Sequence, residues 1–390
     1  MNILALNVGS SSLKFRLFQI TPDAENVLTE GTVERLDANA LLPAAQKAIA
    51  QCRPFGIDAV GHRVVQGGSR FSEPTRITPD VLQELHGLEE LDPLHNPTEV
   101  ALIEAAARLL PDAPAVAVFD TAFHRTLPEV AWRYALPSDL ADRLGLRRYG
   151  FHGISHRYVS GRLLDCLGRE AAGTRLITCH LGSGASVCAV RDGQSVDTSM
   201  GLTPLEGLVM GTRSGDVDPG LLLYLLRTQD MTAGQLDDLL NHDSGLKGLA
   251  GQNDVRDLEQ AAGDGDKRAD MALDIFAYRV RKYLGAYAAA LGGLDAVAFT
   301  GGIGEHAAGM RARICEGLEF LGLCLDDEHN RAATGGDAAR ISTEGGTASI
   351  WVIPTDEERQ IVHEVAALLQ QPPPRVETRS WKKPTVEATE

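Results

Sequence analysis

Two arginines interrupt apolar or glycine-rich segments of this 390-residue chain. Arg63 lies inside AVGHRVV and Arg213 inside VMGTRSGDVDPG. An arginine in such a segment usually has an anion as its partner. That anion is either a bound substrate or a structural carboxylate, for which Asp216 and Asp218 are candidates beside Arg213. Because a guanidinium group binds carboxylates and phosphates through two parallel hydrogen bonds, the two arginines predict an anion-binding site.

Turns rich in glycine and serine follow several strand candidates. LNVGSSSLKF offers backbone amides, three serine hydroxyls at 10–12 and the cation Lys14. HLGSG (180–184) and TGGIGEH (300–306) would let the backbone approach a nucleotide closely, although each alone is also typical of a plain turn. The sequence has no G-x-x-x-x-G-K-[ST] loop and no protein-kinase signature. We therefore expect a phosphate site that is built from these turns.

An aspartate and several histidines lie close to these segments. Asp120 ends the apolar run AVAVFD, at the carboxyl end of a predicted strand, where α/β sites form; a helix cap is the alternative. His95, His124, His152 and His156 lie in PLHNP, FDTAFH and GFHGISH. A metal site is disfavoured because the last motif lacks a convincing third ligand. We interpret the histidines as hydrogen-bond donors to a phosphoryl group, with structural roles as the alternative.

These residues lie at the ends of short apolar runs that alternate with amphipathic helical stretches. Such alternation predicts an α/β fold. The chain is longer than a single core usually supports, so we expect two domains with a cleft between them. Strands are predicted for ILALNV, AVGHRVV, AVAVFD, RLITCHL, SVCAVRDG, AVAFTGG and SIWVIP, and helices for PTEVALIEAAARLL, 155–167 and 269–291.

The chain contains an internal echo. NILALNVGSSSLKFRLF near the start is similar to RLITCHLGSGASVCAVRDG near the middle. In each, a strand with a polar residue near its end, Asn7 or His180, passes through a small-residue turn into a second strand. Backbone amides in both turns could face a phosphate. We predict two duplicated halves, with the second beginning near Gly150; a chance match of two hairpins is the alternative.

Composition limits the partners and the location. A net charge of −16 and a pI near 5.1 would repel nucleic acid and anionic membranes, so neither is expected as a partner. The start of the chain has no basic leader, which predicts a cytoplasmic protein without a membrane span. Six cysteines without metal-type spacing predict buried free thiols. Residues 372–390, rich in proline and charge, are predicted to be a disordered tail.

With these motifs in view, the chain resembles the acetate kinase family over nearly its whole length, from LNVGSSSLKF to VIPTDEE. LNVGSSSLKF, GHRVVQGG, PLHNP, FDTAFH, YGFHGISH, CHLGSG, MGTRSGDVDPG and FTGGIGE stand in the family's order. The resemblance implies two duplicated actin-like (ribonuclease H-like) domains with a nucleotide cleft, and a homodimer. The N-terminal domain would comprise 1–149 plus about 356–371, completed by the last helix, and the C-terminal nucleotide-binding domain 150–355.

The resemblance also implies a reaction and its residues. ATP would phosphorylate acetate reversibly by direct in-line transfer, giving acetyl phosphate and ADP, with Mg²⁺ as the cofactor and Mn²⁺ able to substitute. By position, catalytic roles are implied for Asp120, Arg213, His152 and His180, substrate contacts for Arg63, Arg213 and His95, and a magnesium-linked pair for Asn7 and Glu357. The implied nucleotide contacts are Lys14, His180, Leu181, Gly182, Ser183, Gly184, Asp254, Val255, Arg256, Gly302, Ile303, Gly304, Glu305 and His306.

Three positions depart from the family pattern. Ser183 stands where asparagine is usual, His306 where the family has GIGEN, and Gln66 where histidine is common in GHRVVHGG. These departures leave the nucleotide contacts and the substrate preference open.

The acceptor's chemistry shapes the expected mechanism. A short carboxylic acid is already ionised at neutral pH, so no general base is needed, and Asp120 is expected to orient magnesium or its water. Propionate or butyrate kinase, a sugar kinase and a non-enzymatic, actin-like nucleotide switch are the alternatives.

Overall fold

The computed structural model describes residues 1–9, 12–34, 40–89, 91–92 and 95–370. Two sequence predictions fall outside these ranges: the phosphate contacts of Ser10 and Ser11, and the tail at 372–390.

Within these ranges, twelve strands form two six-stranded sheets. The first sheet contains β1 (Asn2–Val8), β2 (Ser12–Ile20), β3 (Glu25–Glu34), β4 (Ala59–Val64), β5 (Thr75–Arg76) and β6 (Ala115–Phe119). The second contains β7 (Arg175–Leu181), β8 (Ala185–Arg191), β9 (Gln194–Thr198), β10 (Ala296–Thr300), β11 (Ala339–Arg340) and β12 (Ser349–Val352). Each strand segment predicted from the sequence contains an observed strand.

The helices connect and cover the strands. They are α1 (Leu41–Cys52), α2 (Pro79–Gly87), α3 (Asn96–Leu109), α4 (Glu129–Trp132), α5 (Ser138–Leu144), α6 (Gly153–Leu167), α7 (Pro219–Thr228), α8 (Ala233–His242), α9 (Gly245–Ala250), α10 (Val255–Gly263), α11 (Lys267–Leu291), α12 (Gly301–His306), α13 (Ala308–Cys315), α14 (Asp327–Ala332) and α15 (Glu357–Gln370). Within the described ranges, none of them combines the length and hydropathy needed to cross a bilayer.

The two sheets have the same plan. Their orders are β3-β2-β1-β4-β6-β5 and β9-β8-β7-β10-β12-β11, so each strand of the first corresponds to the strand six places later. The hairpins β1–β2 and β7–β8 are antiparallel, whereas β1–β4–β6 and β7–β10–β12 run parallel. This correspondence matches the sequence echo, and the α/β prediction is confirmed.

Helices cover both faces of each sheet, which explains why the central strands are apolar on both sides. In the first sheet, α1 and α3 pack on one face and α15 on the other. In the second sheet, α6 and α11 occupy opposite faces. The last described helix therefore returns to the first sheet. Gly61 on β4 permits this close approach, because a Cβ there would lie 2.6 Å from Ile361 and 2.8 Å from Val365.

All six cysteines are free thiols, as the sequence predicts. Cys52, Cys179, Cys188 and Cys315 are buried, and the other two are half-buried.

Candidate functional site

A cleft of about 580 Å³ lies between the two sheets, at the carboxyl ends of their parallel strands. It combines residues that are far apart in the sequence but follow corresponding strands, as expected for an α/β site. Its lining includes Asn7, Gly9, Ser12, Lys14, Arg63, His152, His180, Gly182, Ser183, Gly184, Gly301, Gly302, Glu305, Thr355, Glu357 and Glu358.

Carboxylates line one part of the cleft. Asn7, near the end of β1, donates from Nδ2 to Glu357 Oε2 (3.0 Å) and Glu358 Oε1 (2.9 Å) at the start of α15. Burial raises the pKa of Glu357 to about 7. Asp120 follows β6, is 1% exposed, and keeps its Oδ1 without a partner in the described part of the chain. These oxygens form an acidic group around the magnesium-linked pair predicted from the family resemblance.

Arg63 on β4 faces this acidic group. Its Nη2 donates to Asp120 Oδ2 (2.7 Å), and its Nη1 lies 3.6 Å from Glu99 Oε1. Nε of Arg63 is buried and has no hydrogen-bond partner among the described residues. Glu99, on α3, accepts from the backbone N–H of Val65 (2.8 Å), yet burial still raises its pKa to about 8. Arg63 is therefore bonded to the Asp120 carboxylate and lies close to the Glu99 carboxyl group, while its Nε has no partner among the described residues.

Two imidazole rings lie side by side in the cleft. His152 and His180 stack with their centroids 4.3 Å apart. Their Nδ1 atoms contact the hydroxyls of Ser186 (2.9 Å) and Ser155 (2.8 Å), respectively. Burial lowers the pKa of His180 to about 4 and that of His152 well below its ordinary value. Both rings are thus neutral at pH 7, and no hydrogen bond within the described residues occupies either Nε2.

Arg213 is a half-buried cation without a carboxylate within salt-bridge distance in the described structure. Among the described residues its one side-chain hydrogen-bond contact is from Nη1 to Met210 Sδ (3.9 Å), and desolvation lowers its pKa. Asp216, one predicted structural partner, instead accepts from the Gly207 N–H and the Tyr283 hydroxyl. Asp218, the other, caps α7 by accepting from the Gly220 N–H.

The backbone around Arg213 is well anchored. Met210 N–H donates to the Arg213 carbonyl (3.1 Å), and Gly211 N–H donates to Ser183 O (3.1 Å) in the turn between β7 and β8. A Cβ at Gly184 in that turn would lie 3.3 Å from His152 and 3.8 Å from Arg213 Nη1. The glycine turn thus brings Arg213 next to the histidine pair.

A second cavity, of about 520 Å³, adjoins the cleft and shares Gly182, Ser183 and Gly302 with it. The three segments predicted to bind nucleotide, 180–184, 254–256 and 302–306, each contribute residues to this cavity. The residues that line it are Gly182, Ser183, Asn253, Asp254, Val255, Arg256, Glu259, Gly302, Ile303, His306 and Ala307.

Some of the predicted contact residues support the cavity walls. Leu181 is fully buried in the core. The Gly304 carbonyl accepts from Arg311 (3.0 Å), and the Glu305 carboxylate accepts from the backbone N–H groups of Gly301 and Thr355. His95 contacts Asp92 through Nδ1 (2.9 Å) and is outside the set of residues that line the cleft.

The three departures from the family pattern have different surroundings. Ser183 faces both cavities. His306 lines the second cavity, and its Nδ1 contacts Thr334 O (2.7 Å). Gln66 is fully buried away from the cleft, where its side-chain oxygen accepts from the Gly68 N–H.

Sequence reasoning missed Glu99, Glu358 and Arg311. Glu99 and Glu358 lie on helices, where an acidic residue is ordinarily a solvent contact. Arg311 is fully buried and donates to Asn330 and to the carbonyls of Gly304, Glu305 and Ala333. Local signals existed for Glu99, which follows the PLHNP motif, and for Glu358, which ends VIPTDEE.

The acidic group suits a hard divalent cation. Magnesium prefers oxygen ligands and commonly combines one or two carboxylates with phosphate oxygens. Two carboxyl groups meet that preference: Asp120, whose Oδ1 has no partner among the described residues, and Glu357, whose pKa is raised. A bound cation would stabilise the ionised form of both. Within the described residues, no cluster of three or more histidine, cysteine or acidic side chains could hold a metal unaided. The residues present therefore fit magnesium bound jointly with a phosphate ligand.

Comparison with known proteins agrees with this arrangement. The model of the Acetokinase family matches residues 38–363. The acetate kinase of Bacteroides fragilis is 44% identical over 400 residues, which cover 95% of this chain and 100% of that protein. The crystal structure of Porphyromonas gingivalis acetate kinase is 40% identical with a TM-score of 0.86, covering 95% of this chain and 100% of that one. A propionate kinase from Francisella tularensis is 38% identical with a TM-score of 0.85, covering 93% and 98%. Since sequence, fold and cleft all agree over almost the entire length, the chain belongs to the acetokinase family.

Proposed function

We propose that the protein transfers a phosphoryl group reversibly between ATP and acetate, giving acetyl phosphate and ADP. The nucleotide pocket and the cleft share Gly182, Ser183 and Gly302, so a triphosphate held by the glycine turns would extend towards the histidine pair. The observation that carries the proposal is Arg213, a half-buried guanidinium next to that pair with no carboxylate within salt-bridge distance in the described structure. Such a group is suited to a transferring phosphoryl group.

In the proposed step, a carboxylate oxygen of acetate attacks the γ-phosphorus in line. The new O–P bond forms as the bond to ADP breaks, and no proton is transferred because the acid is already ionised. Arg63, positioned by Asp120 and Glu99, lines the cleft and would orient the acetate carboxylate with its guanidinium group. Arg213 neutralises the charge that spreads over the phosphoryl oxygens in the transition state.

The neutral histidines contribute hydrogen bonds. If Nδ1 of His152 and His180 accepts from Ser186 and Ser155, each Nε2 carries the proton and donates towards the cleft. Neutral donors stabilise phosphoryl oxygens without adding a buried charge that would need its own counter-ion. We propose that His95 acts indirectly, by positioning Asp92. Desolvation lowers the pKa of Arg213, and the negative charge of Asp92 raises it again.

Asp120 and Glu357, with Asn7 aligning Glu357, would hold magnesium, or manganese in its place. When bound, the ion supplies charge neutralisation for the triphosphate. Asp120 and Glu357 would present their carboxylate oxygens to the ion in the part of the cleft between Arg63 and the glycine turns that hold the triphosphate.

Trapping of the acyl phosphate tests this function. The protein is incubated with Mg-ATP, hydroxylamine and acetate, propionate, butyrate or glucose, and the hydroxamate and ADP are measured. We expect a hydroxamate with acetate and none with glucose. ADP formed only with glucose would indicate a sugar kinase. Nucleotide binding without formation of any acyl phosphate would indicate a nucleotide switch. Either of these two outcomes would contradict the proposal.

Propionate is the second candidate substrate, favoured by the similarity to the Francisella tularensis propionate kinase. The ratio of kcat/KM for propionate and acetate in the same assay separates the two. We propose acetate as the preferred acid because the other two compared relatives are acetate kinases.

We also infer a homodimer, supported by exposed apolar side chains on α7. This helix has no buried residue, and Leu221, Leu223 and Tyr224 are 44%, 58% and 54% exposed. Several large apolar side chains exposed on one helix are a common feature of interfaces, and identical chains pair most often about a twofold axis. Sedimentation should show that Leu223→Glu gives monomers. Leu144→Glu, at a leucine that is 54% exposed on α5, is the control and should remain dimeric.

The proposed location is the cytoplasm. Six unpaired cysteines fit a reducing compartment.

A further inference from the structure

A third cavity, of about 480 Å³, lies on the opposite face of β4 from the cleft. Neighbouring side chains on a strand point to opposite faces. Arg63 therefore faces the cleft, whereas His62 faces the layer formed by α2 and α3. The cavity shares no lining residue with the cleft or the nucleotide pocket. It is a separate space.

The lining of this cavity is mainly apolar. It includes Val60, Ile77, Leu82, Ile103 and Ala106. Arg76 and Asp112 contribute charges of both signs. A lining of this size and composition is typical of sites for small molecules with an apolar body and little net charge.

His62 is the polar exception. It is 1% exposed, and within the described residues neither ring nitrogen has a hydrogen-bond partner. Two other buried histidines differ: His124 and His156 have partners at both nitrogens. A buried polar group without a partner is unfavourable and uncommon. Burial lowers the pKa of His62 to about 3, so the ring is neutral at pH 7 and offers one donor and one acceptor.

We propose that this cavity binds an uncharged small molecule whose apolar body packs against α3 and whose hydroxyl group hydrogen-bonds to His62. A hydroxyl both donates and accepts, so it suits either tautomer of the ring. A charged group would find no counter-ion at the neutral imidazole, and the opposite charges of Arg76 and Asp112 favour neither sign. The site does not depend on the proposed kinase activity.

Phenol and toluene provide matched probes, because they differ in a single hydroxyl group. Titration calorimetry on the intact protein should show saturable binding of phenol, with toluene weaker by about three- to tenfold. His62→Leu should abolish the preference for phenol. This variant should fold, since it replaces an unpaired polar group with an apolar side chain of similar size.

A second variant tests the location. Ala107 lines the cavity and is exposed, so Ala107→Phe would fill the space from its rim and should eliminate binding of both probes. Ala50→Phe, at an exposed position of α1 outside the cavity, is the control and should bind as the wild type does. Equal binding of phenol and toluene, no saturable phenol binding, or unchanged binding to Ala107→Phe would overturn the proposal.

Discussion

Arg213, which is half-buried, and Arg311, which is fully buried, should respond oppositely to substitution by methionine. Arg213→Met removes a guanidinium whose only hydrogen-bond contact in the described structure is Met210 Sδ. Because no carboxylate lies within salt-bridge distance of this half-buried cation in the described structure, its removal should change the free energy of unfolding by no more than about 1 kcal/mol, or increase it. The kcat of Arg213→Met should fall by a factor of about 10³ to 10⁵, which is the contribution of an arginine that acts on the transferring phosphoryl group.

Arg311→Met removes five hydrogen bonds, which run to Asn330 Oδ1 and to the carbonyls of Gly304, Glu305, Asn330 and Ala333. At about 1.5 kcal/mol for each bond from a charged donor, the gross loss is about 8 kcal/mol. Burial lowers the pKa of Arg311 from 12.5 to about 10, so relief from desolvation returns about 3 kcal/mol. For a chain of 390 residues that unfolds as one unit, the net destabilisation of about 5 kcal/mol corresponds to a fall in Tm of roughly 6 °C.

Thermal melts, steady-state kinetics and ATP titration of both variants decide the matter. For Arg213→Met we expect a Tm near that of the wild type, near-normal ATP affinity and very low kcat. Arg213→Lys should also be poorly active, since an ammonium group lacks the planar two-donor geometry. For Arg311→Met we expect a low Tm and weakened ATP binding, because α12 lines the nucleotide pocket. An Arg213→Met protein that melts early and keeps its kcat would refute the reasoning and make Arg213 structural.

Three other predictions concern the same cleft. The folded state keeps the proton of Glu99 up to about pH 8, whereas the unfolded carboxyl releases it near pH 4.3. The wild type should therefore lose stability relative to Glu99→Gln as pH rises between these values, by about 1.4 kcal/mol per pH unit in denaturant titrations; parallel stability curves would contradict the raised pKa. Asp120→Asn should lower kcat about a hundredfold or more and change its magnesium dependence, and a magnesium titration like that of the wild type would exclude Asp120 from ion binding. Acetate should have a higher kcat/KM than propionate, and butyrate the lowest, with each step about 1–3 kcal/mol; a preference for butyrate would reverse this assignment.

The sequence by itself determined the elements and the turns that build the cleft. Strand periodicity and glycine-rich turns are local properties, so the hairpins at Asn7 and His180 and the strand before Asp120 could be predicted without tertiary information. The similarity between the two hairpin sequences predicted a duplication, and the two sheets have corresponding strand orders, as that prediction requires. The reaction could be predicted because the motifs stand in the order typical of the acetate kinase family, whereas no single turn specified it.

Tertiary structure decided which charges are paired. Sequence proximity suggested Asp216 and Asp218 as structural partners of Arg213, but folding directs both carboxylates elsewhere and leaves Arg213 without one among the described residues. Arg63 instead acquires Asp120, 57 positions away in the chain. Ion pairs and desolvation depend on distances in space, and residues on separate strands and helices have no local pattern that encodes those distances.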